Sequence, residues 1–208
     1  MAITKKRSAF DLNMNKILII LSFIVLASCS VKEIPSSDLV ERNGIKYEVF
    51  SQVPFTGSSV SYYKKGQLHF KENFKEGRMV DGLYESYHEN GQLERKRNYK
   101  DGKQDGLYES YYENGQLDRK RNYKDGKQDG LYEYYYRYGQ LDSKGTFKDG
   151  KQDGLCESYY ENDQLYYKGT FKDGKRDGLY ESYYENGKSW EKGCYKNGEE
   201  TDMSYCEK

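Results

Sequence analysis

The sequence predicts an all-β protein, a meander of consecutive antiparallel β-hairpins, and three observations support this fold class. A unit of 24 residues recurs along most of the 208-residue chain. Each unit carries two turn signals, and the segments between them suit strands and are too interrupted for helices. The composition supplies 24 Tyr, 8 Phe and 21 Gly but only 2 Pro, which argues against collagen and proline-rich linkers.

Charge and polarity exclude further classes of protein. Charged residues make up 33% of the chain and the mean hydropathy is -1.11, so little of the chain suits an aliphatic core. An aromatic content of 16% is too high for a disordered chain of this polarity. Lys+Arg and Asp+Glu both number 34, so we expect no nucleic-acid partner. Four Cys are too few for a dense disulfide scaffold.

Residues 1–28 predict a lipoprotein signal peptide. A basic start is followed by the uncharged apolar run Ile17–Ala27. This run is shorter than the roughly 20 residues of a membrane span and has the length of a secretory signal's apolar stretch. Met14 stands just before the run and is an alternative true start of the protein.

The end of the apolar run, Leu26-Ala27-Ser28-Cys29, resembles the bacterial lipobox. The resemblance implies that Cys29 becomes the first residue and carries the lipid, with several acyl chains such as palmitate holding the protein to a membrane. An ordinary signal peptide with a chance Cys is the alternative. Ser30 follows where Asp would suggest inner-membrane retention, so we expect the cell envelope, with the outer membrane favoured in a Gram-negative cell.

The rest of the chain divides into a tether, the repeats and a tail. Residues 29–56 predict a lipidated N-terminus and tether, in which Asn43-Gly44 favours a short hairpin. Residues 57–201 hold six copies of the repeat, and residues 202–208 form a C-terminal tail. The copies are Gly57–Asp81, which has one inserted residue, Gly82–Asp105, Gly106–Asp129, Gly130–Asp153, Gly154–Asp177 and Gly178–Thr201.

Two turn signals in each copy predict one hairpin per copy. The first is Asn-Gly, which suits a two-residue type I′ turn because both residues then need φ > 0. It occurs at Asn90-Gly91, Asn114-Gly115 and Asn186-Gly187. The second is Asp-Gly, at Asp101-Gly102, Asp125-Gly126, Asp149-Gly150 and Asp173-Gly174.

The first turn also predicts a register for each hairpin. If Asn90-Gly91 is the turn, His88 faces Leu93, Tyr87 faces Glu94 and Glu85 faces Lys96. Opposite charges directly across an antiparallel pair contribute about 0.2–1 kcal/mol. The same register gives the pairs Glu109–Lys120, Glu133–Lys144, Glu157–Lys168 and Glu181–Lys192.

The other face of the sheet is predicted to be the core. Tyr132 faces Gly145 and Tyr180 faces Gly193, so that an aromatic ring can lie over a glycine. Cys156 takes the place of a Tyr in this row and reads as core filler. Tyr99, Tyr123, Phe147 and Phe171 occupy the same face near the second turn.

The sequence offers little that would support catalysis. Near-identical copies argue against a singular catalytic site, so we expect no enzyme, no cofactor and no metal site. His88 stands where other copies have Tyr112 and Tyr160, and it reads as a substitute for Tyr. The Asp-Gly-Lys-Gln-Asp-Gly stretches indicate turns rather than calcium loops. Cys194 and Cys206 either form a disulfide after export or are two unrelated thiols.

A row of tyrosines on the charged face is the candidate binding face. It consists of Tyr87, Tyr111, Tyr135, Tyr159 and Tyr183, one ring every two strands, or about 9.5 Å apart. Either these rings cover the sheet beside the leucine row that includes Leu83, or they form a ladder that binds a protein, glycan or lipid surface.

The repeat, GLYESYYENGQL followed by KGTFKDGKxDG, resembles the bacterial variant of the MORN repeat over roughly residues 55–201. The resemblance implies an elongated, curved antiparallel sheet of consecutive hairpins. The chain departs from the pattern at Tyr138-Gly139 and Asn162-Asp163 in the first turn, and at Arg97 and Arg121, where later copies have Gly.

Taken together, these features predict a lipid-anchored, non-enzymatic binding or scaffolding protein of the bacterial envelope. Its expected partners are the membrane, through the N-terminal lipid, and a protein or envelope glycan. The alternative comes from the label that bacterial proteins of this pattern often carry, namely an antitoxin component that binds and neutralises a toxin. A cytoplasmic toxin would conflict with the lipobox.

Overall fold

A computed structural model describes residues 31–207, so Cys29 and the predicted signal peptide lie outside the described residues. Strands and two short 3-10 helices, Ser36–Asp38 and Met203–Tyr205, make up the regular structure of this range. The N-terminal strands are β1 Glu33–Pro35, β2 Leu39–Arg42, β3 Ile45–Glu48, β4 Gly57–Tyr62, β5 Leu68–Lys75 and β6 Arg78–Met79. The central strands are β7 Gly82–Tyr87, β8 Leu93–Lys100, β9 Lys103–Tyr111, β10 Leu117–Lys124, β11 Lys127–Tyr135 and β12 Leu141–Lys148. The C-terminal strands are β13 Lys151–Gln152, β14 Gly154–Tyr159, β15 Leu165–Lys172, β16 Lys175–Tyr183, β17 Ser189–Lys196 and β18 Glu199–Thr201.

Sixteen of these strands form one long sheet whose strand order follows the chain. Each copy of the repeat contributes one antiparallel hairpin, so the predicted all-β meander is confirmed. The short strands β6 and β13 extend the pairing of β5 and β12 beside the second turn. β1 departs from the meander because it pairs with β4 in parallel. β2 and β3 form a separate hairpin around Asn43-Gly44, as predicted.

The second turn of each copy is the type I′ turn. Both of its central residues have positive φ, for example +50° at Asp101 and +73° at Gly102. Asp and Asn tolerate this conformation better than other side chains, which accounts for the Asp-Gly signal. The same geometry recurs at Glu76-Gly77, Asp125-Gly126, Asp149-Gly150, Asp173-Gly174 and Asn197-Gly198, and in the separate hairpin at Asn43-Gly44.

The first turn differs from the prediction, and the two-residue type I′ turn at Asn90-Gly91, Asn114-Gly115 and Asn186-Gly187 is wrong. Gly91 has φ of +84°, but Asn90 does not take positive φ. The Gly91 N–H donates to the His88 carbonyl at 2.8 Å, and the His88 N–H donates to the Gln92 carbonyl at 2.8 Å. The loop therefore has three residues, and the Asn90 side chain closes it by accepting from the Gln92 N–H at 2.9 Å.

In the fourth and fifth copies of the repeat, the first turn lacks the Asn-Gly sequence but forms the same loop. Gly139 and Asp163 each donate their N–H to the carbonyl three residues earlier, at 2.8 Å and 3.0 Å. Asp163 takes φ of +63° in the place of the usual glycine, a conformation that Asp tolerates. The same loop therefore forms at Tyr138-Gly139 and at Asn162-Asp163.

The predicted register is correct away from the first turn and wrong beside it. The five Glu–Lys pairs lie directly opposite each other, beginning with Glu85 and Lys96. Beside the turn, Tyr87 pairs with Leu93 instead of Glu94, because the three-residue loop leaves one extra residue on β8. The same shift makes the pairing of His88 with Leu93 wrong, since His88 bonds to Gln92.

The face that carries Tyr132 and Tyr180 is the core, as predicted. These two rings and Cys156 are buried, with 3%, 8% and 0% of their surface exposed. Gly145 lies between Tyr132 and Cys156, and an added Cβ there would come within 2.8 Å of both side chains. Four buried serines complete this face: Ser86, Ser110, Ser158 and Ser182.

The two ends of the sheet are stabilised in different ways. At the N-terminal end, β1 covers β4, and Phe55, Val60 and Phe74 are buried. The segment expected as a tether is therefore packed against the first copy from β1 onward. At the C-terminal end a disulfide joins Cys194 to Cys206, so of the two alternatives the structure has the bonded one. Within residues 31–207 there is no helix long and apolar enough to span a membrane.

Candidate binding face

Three residues of each hairpin's first strand share one face of the sheet, because side chains alternate along a strand. We call each such trio a Leu–Glu–Tyr strip. The strips are Leu83, Glu85 and Tyr87; Leu107, Glu109 and Tyr111; Leu131, Glu133 and Tyr135; Leu155, Glu157 and Tyr159; and Leu179, Glu181 and Tyr183. The five predicted tyrosines therefore form a regular row, with neighbouring rings two strands apart.

The glutamates and lysines of this face form one alternating row across eleven strands. Because each copy also pairs with the next, an interior lysine has a glutamate on both sides. The row runs Lys71, Glu85, Lys96, Glu109, Lys120, Glu133, Lys144, Glu157, Lys168, Glu181 and Lys192.

The closest ion pairs in this row lie between copies more often than within them. Lys144 Nζ is 2.9 Å from Glu157, and Lys168 Nζ is 2.8 Å from Glu181. Of the five predicted pairs, Glu181–Lys192 alone brings nitrogen and oxygen within 4.0 Å in the part of the chain described, at 3.2 Å. The predicted opposition of charges is therefore correct for the backbone register, and the side chains lean toward the neighbouring hairpin.

The lysines keep two carboxylates of the row charged. The hydrogen bond from Lys144 lowers the pKa of Glu157, and that from Lys168 lowers the pKa of Glu181. Both effects outweigh burial, which alone would raise the pKa of a carboxyl group. Glu157 and Glu181 therefore carry their charge at neutral pH.

The tyrosines of the row are half-buried and held by the same glutamates. The Tyr87 hydroxyl donates to Glu85 at 3.0 Å, and the Tyr159 hydroxyl donates to Glu157 at 2.9 Å. Tyr111 and Tyr183 make the equivalent bonds to Glu109 and Glu181 at 3.1 Å and 3.3 Å. Burial, followed by the adjacent carboxylate, raises the pKa of Tyr87 and of Tyr159. These two phenols therefore remain protonated donors. The edges and faces of the rings are what this row offers a partner.

Three of the five leucines in the strips are more exposed than the tyrosines beside them. Leu83, Leu131 and Leu155 expose 46%, 64% and 54% of their surface. The sequence suggested these leucines only as part of a row that covers the sheet. The structure adds them to the candidate face as apolar contacts open to solvent.

Contacts between copies were not predicted, although the sequence signalled where they lie. The Tyr112 hydroxyl donates to the Tyr135 carbonyl of the next copy at 2.7 Å. His88 occupies the equivalent position, and its Nε2 lies 2.8 Å from the Tyr111 carbonyl. His88 therefore substitutes for Tyr as predicted, with a bonding role as well as a packing one.

The described residues offer no metal centre and no activated thiol. No group of three or more His, Cys, Asp and Glu side chains between residues 31 and 207 is placed to hold a metal ion. Cys156 is the one free cysteine of that range, and burial raises the pKa of its thiol. Buried, uncharged thiols are poor nucleophiles.

Comparison with known proteins agrees with the geometry of the repeats. The family described as the MORN repeat variant matches six segments, residues 55–76, 80–101, 104–125, 128–149, 152–173 and 176–197. No curated protein matches the chain. Each matched segment from the second onward contains both strands of one hairpin and the three-residue loop between them. The chain belongs to the MORN repeat variant family.

Proposed function

We propose that this chain is a lipid-anchored, non-enzymatic binding or scaffolding protein of the bacterial envelope. The observation that carries the proposal is the recurrence of one Leu–Glu–Tyr strip on five successive hairpins of an open sheet face. A surface built from equal units suits many similar contacts with an extended partner, whereas catalysis needs one singular arrangement of groups.

The chemistry of the face favours a protein partner. Exposed leucines provide apolar area. The half-buried tyrosines provide rigid rings, which lose little conformational entropy when a partner immobilises them. The alternating charges set the register and selectivity of binding. A partner whose charges alternate with the opposite sign fits the row, whereas the same partner shifted by one strand meets like charges. The affinity then grows with the number of strips engaged.

The lipid anchor is tested by localisation. In the native host, we expect the protein in the membrane fraction and labelled by palmitate, and Cys29→Ala should abolish both. Cys156→Ala is the matched control, because this buried thiol should leave labelling and localisation unchanged. Palmitate labelling that persists in Cys29→Ala would exclude the lipoprotein reading.

The binding face is tested by its most exposed member. Leu131→Ser should weaken retention of the native partner in a pull-down from envelope extracts by about tenfold or less, since four other strips remain. Tyr138→Ser is the control, because Tyr138 is 78% exposed but lies in a turn outside the strips. A partner whose toxicity is relieved by co-expression of this chain would instead establish the antitoxin alternative.

A further inference from the structure

Two arginines interrupt the core face, on the side of the sheet opposite the Leu–Glu–Tyr strips. Arg97 on β8 and Arg121 on β10 both pair with Tyr108 of the strand between them. They therefore lie two strands apart, or about 9.5 Å. The equivalent position in each later copy is a glycine, Gly145, Gly169 or Gly193, so the pair occurs once in the sheet.

Tyrosine rings hold both guanidinium groups. Arg97 Cζ lies 4.5 Å from the centroid of the Tyr84 ring. Arg121 Cζ lies 4.8 Å from the Tyr134 ring and 5.7 Å from the Tyr108 ring. Such stacking is attractive and also fixes the plane of the guanidinium, which prepares it for a planar acceptor.

These two arginines have few partners for their hydrogen-bond donors. A guanidinium carries five N–H donors. The only hydrogen bonds found for Arg97 and Arg121 within residues 31–207 run from Nη1 to Tyr99 and to Tyr123, each at 3.4 Å. The Nε atom of each is buried without a partner. No carboxylate oxygen in the described range lies within 4.0 Å of either group.

Two other arginines on the same strands, in contrast, have carboxylate partners. Arg95 and Arg119, on the same two strands, are ion-paired to Glu94 at 3.0 Å and to Asp118 at 3.3 Å. The Nε2 atoms of two nearby glutamines, Gln104 and Gln128, are likewise buried without partners. In the following copy, where Gly replaces Arg, the equivalent Gln152 donates to Tyr132 at 3.4 Å.

We propose that Arg97 and Arg121 bind two carboxylates of an acidic peptide segment that lies across the strands in the polyproline II conformation. In that conformation side chains at positions i and i+3 point the same way and are about 9.3 Å apart. This spacing matches the roughly 9.5 Å between the backbones of β8 and β10, the strands that carry the two arginines. Tyr108, between them, supplies the aromatic surface on which polyproline II segments pack.

The two arginines provide the donors that such a ligand needs. Arginine forms charge-assisted, bidentate hydrogen bonds with carboxylates, and arginine and tyrosine are enriched among the residues that dominate binding at protein interfaces. The site is independent of the proposed binding face, because it uses the opposite side of the sheet and leaves every strip intact.

The probe is a fluorescein-labelled peptide with Glu at positions 1, 4 and 7 and Pro between them, measured by fluorescence anisotropy on the intact chain. We expect saturable binding that weakens with salt. The double variant Arg97→Gln/Arg121→Gln should weaken it by about tenfold or more, since two charge-assisted contacts are lost. The matched control Arg95→Gln/Arg119→Gln should change it by less than about threefold, because those arginines are engaged by their own carboxylates.

Other peptides, other anions and a second double variant decide the question. A peptide with Gln in place of Glu, and a peptide with Glu at every second position, should bind at least about tenfold more weakly if charge and spacing both matter. Equal binding of either peptide, or equal weakening by the two double variants, overturns the proposal. So does binding of anionic phosphatidylglycerol vesicles or free phosphate without binding of the peptide. Arg97→Lys/Arg121→Lys guards against misfolding of the Gln variant, because it keeps both charges and should still weaken binding by losing the planar fork.

Discussion

Single side chains join one copy of the repeat to the next. The hydroxyls of Tyr112, Tyr136 and Tyr160 donate to backbone carbonyls of the following copy at 2.7 Å, 2.7 Å and 2.9 Å. Their acceptors belong to Tyr135, Tyr159 and Tyr183, which are the tyrosines of the candidate face. The core-side tyrosines therefore position the backbone from which that face projects.

Removing one of these hydroxyls should cost stability. Tyr136→Phe leaves the Tyr159 carbonyl without this donor, and we expect the free energy of unfolding to fall by about 1 kcal/mol. Tyr184→Phe is the matched control, because Tyr184 belongs to the last copy and is 51% exposed. Urea denaturation of the two variants and the parent chain measures the difference. Equal losses in both would show that the hydroxyl acts through solubility or local packing instead.

The positions of these side chains could be predicted from the sequence, but their contacts could not. Comparing copies identifies His88 and Tyr112 as equivalent, since the surrounding repeat is almost the same. It does not reveal their acceptors, because a backbone carbonyl is present at every position and leaves no mark in the sequence. Arg97 and Arg121 stood out as departures from the repeat, but their shared neighbour Tyr108 became evident only from the pairing of β8, β9 and β10.

Within each copy of the repeat, the two turns have similar sequences but fold differently. Asn-Gly and Asp-Gly both favour φ > 0, so the sequence alone does not separate a two-residue loop from a three-residue loop with one left-handed residue. The difference decides the register beside the turn. At the resulting bulge Glu94 accepts from Ser86 at 3.1 Å, which places it on the core side instead of beside Tyr87.

The left-handed backbone of the second turn should restrict which residues it accepts. Asp125 has φ of +50°, so Asp125→Val should destabilise the protein by about 1–2 kcal/mol, since left-handed backbone is costly for residues with a branched Cβ. Asp125→Asn should be nearly neutral because Asn accepts this conformation. Glu113→Val in the first turn is the control, because Glu113 is exposed and does not have positive φ. Guanidinium denaturation midpoints, compared at unchanged slope, test the order of stability of these variants. A loss of stability in Glu113→Val as large as that in Asp125→Val would contradict the prediction.

At the scale of the whole molecule, the sheet is a one-dimensional array in which a hairpin contacts its neighbours along the chain. The number and order of the hairpins followed from the period of the sequence. The closures at the two ends did not, because β1 and the Cys194–Cys206 disulfide lie outside the repeated pattern and occur once each. Terminal units of repeat proteins commonly differ in this way, since one side of each has no neighbouring copy.

Deleting one full period should therefore leave a folded protein. Removal of Gly106–Asp129 joins Asp105 to Gly130, and Asn98 should then donate to the Leu131 carbonyl as Asn122 does in the parent chain at 3.0 Å. We expect a sheet shorter by two strands, or about 9.5 Å, in small-angle X-ray scattering. The free energy of unfolding should fall by one copy's nearest-neighbour contribution and the transition should remain cooperative.

The control deletion removes half a period of the repeat instead of a full one. Removing Gly106–Leu117 takes away most of β9 and the first turn. β8 would then have to pair with β10, a strand of the same kind, where it now pairs with β9. Lys96 pairs with Glu109 in the parent chain, and in the same register after the deletion it would face Arg121 instead. Like charges directly opposite each other are destabilising. We expect this shorter deletion to be less stable than the longer one, although it removes fewer residues. If stability instead followed the number of residues removed, nearest-neighbour repetition would not be what stabilises this sheet.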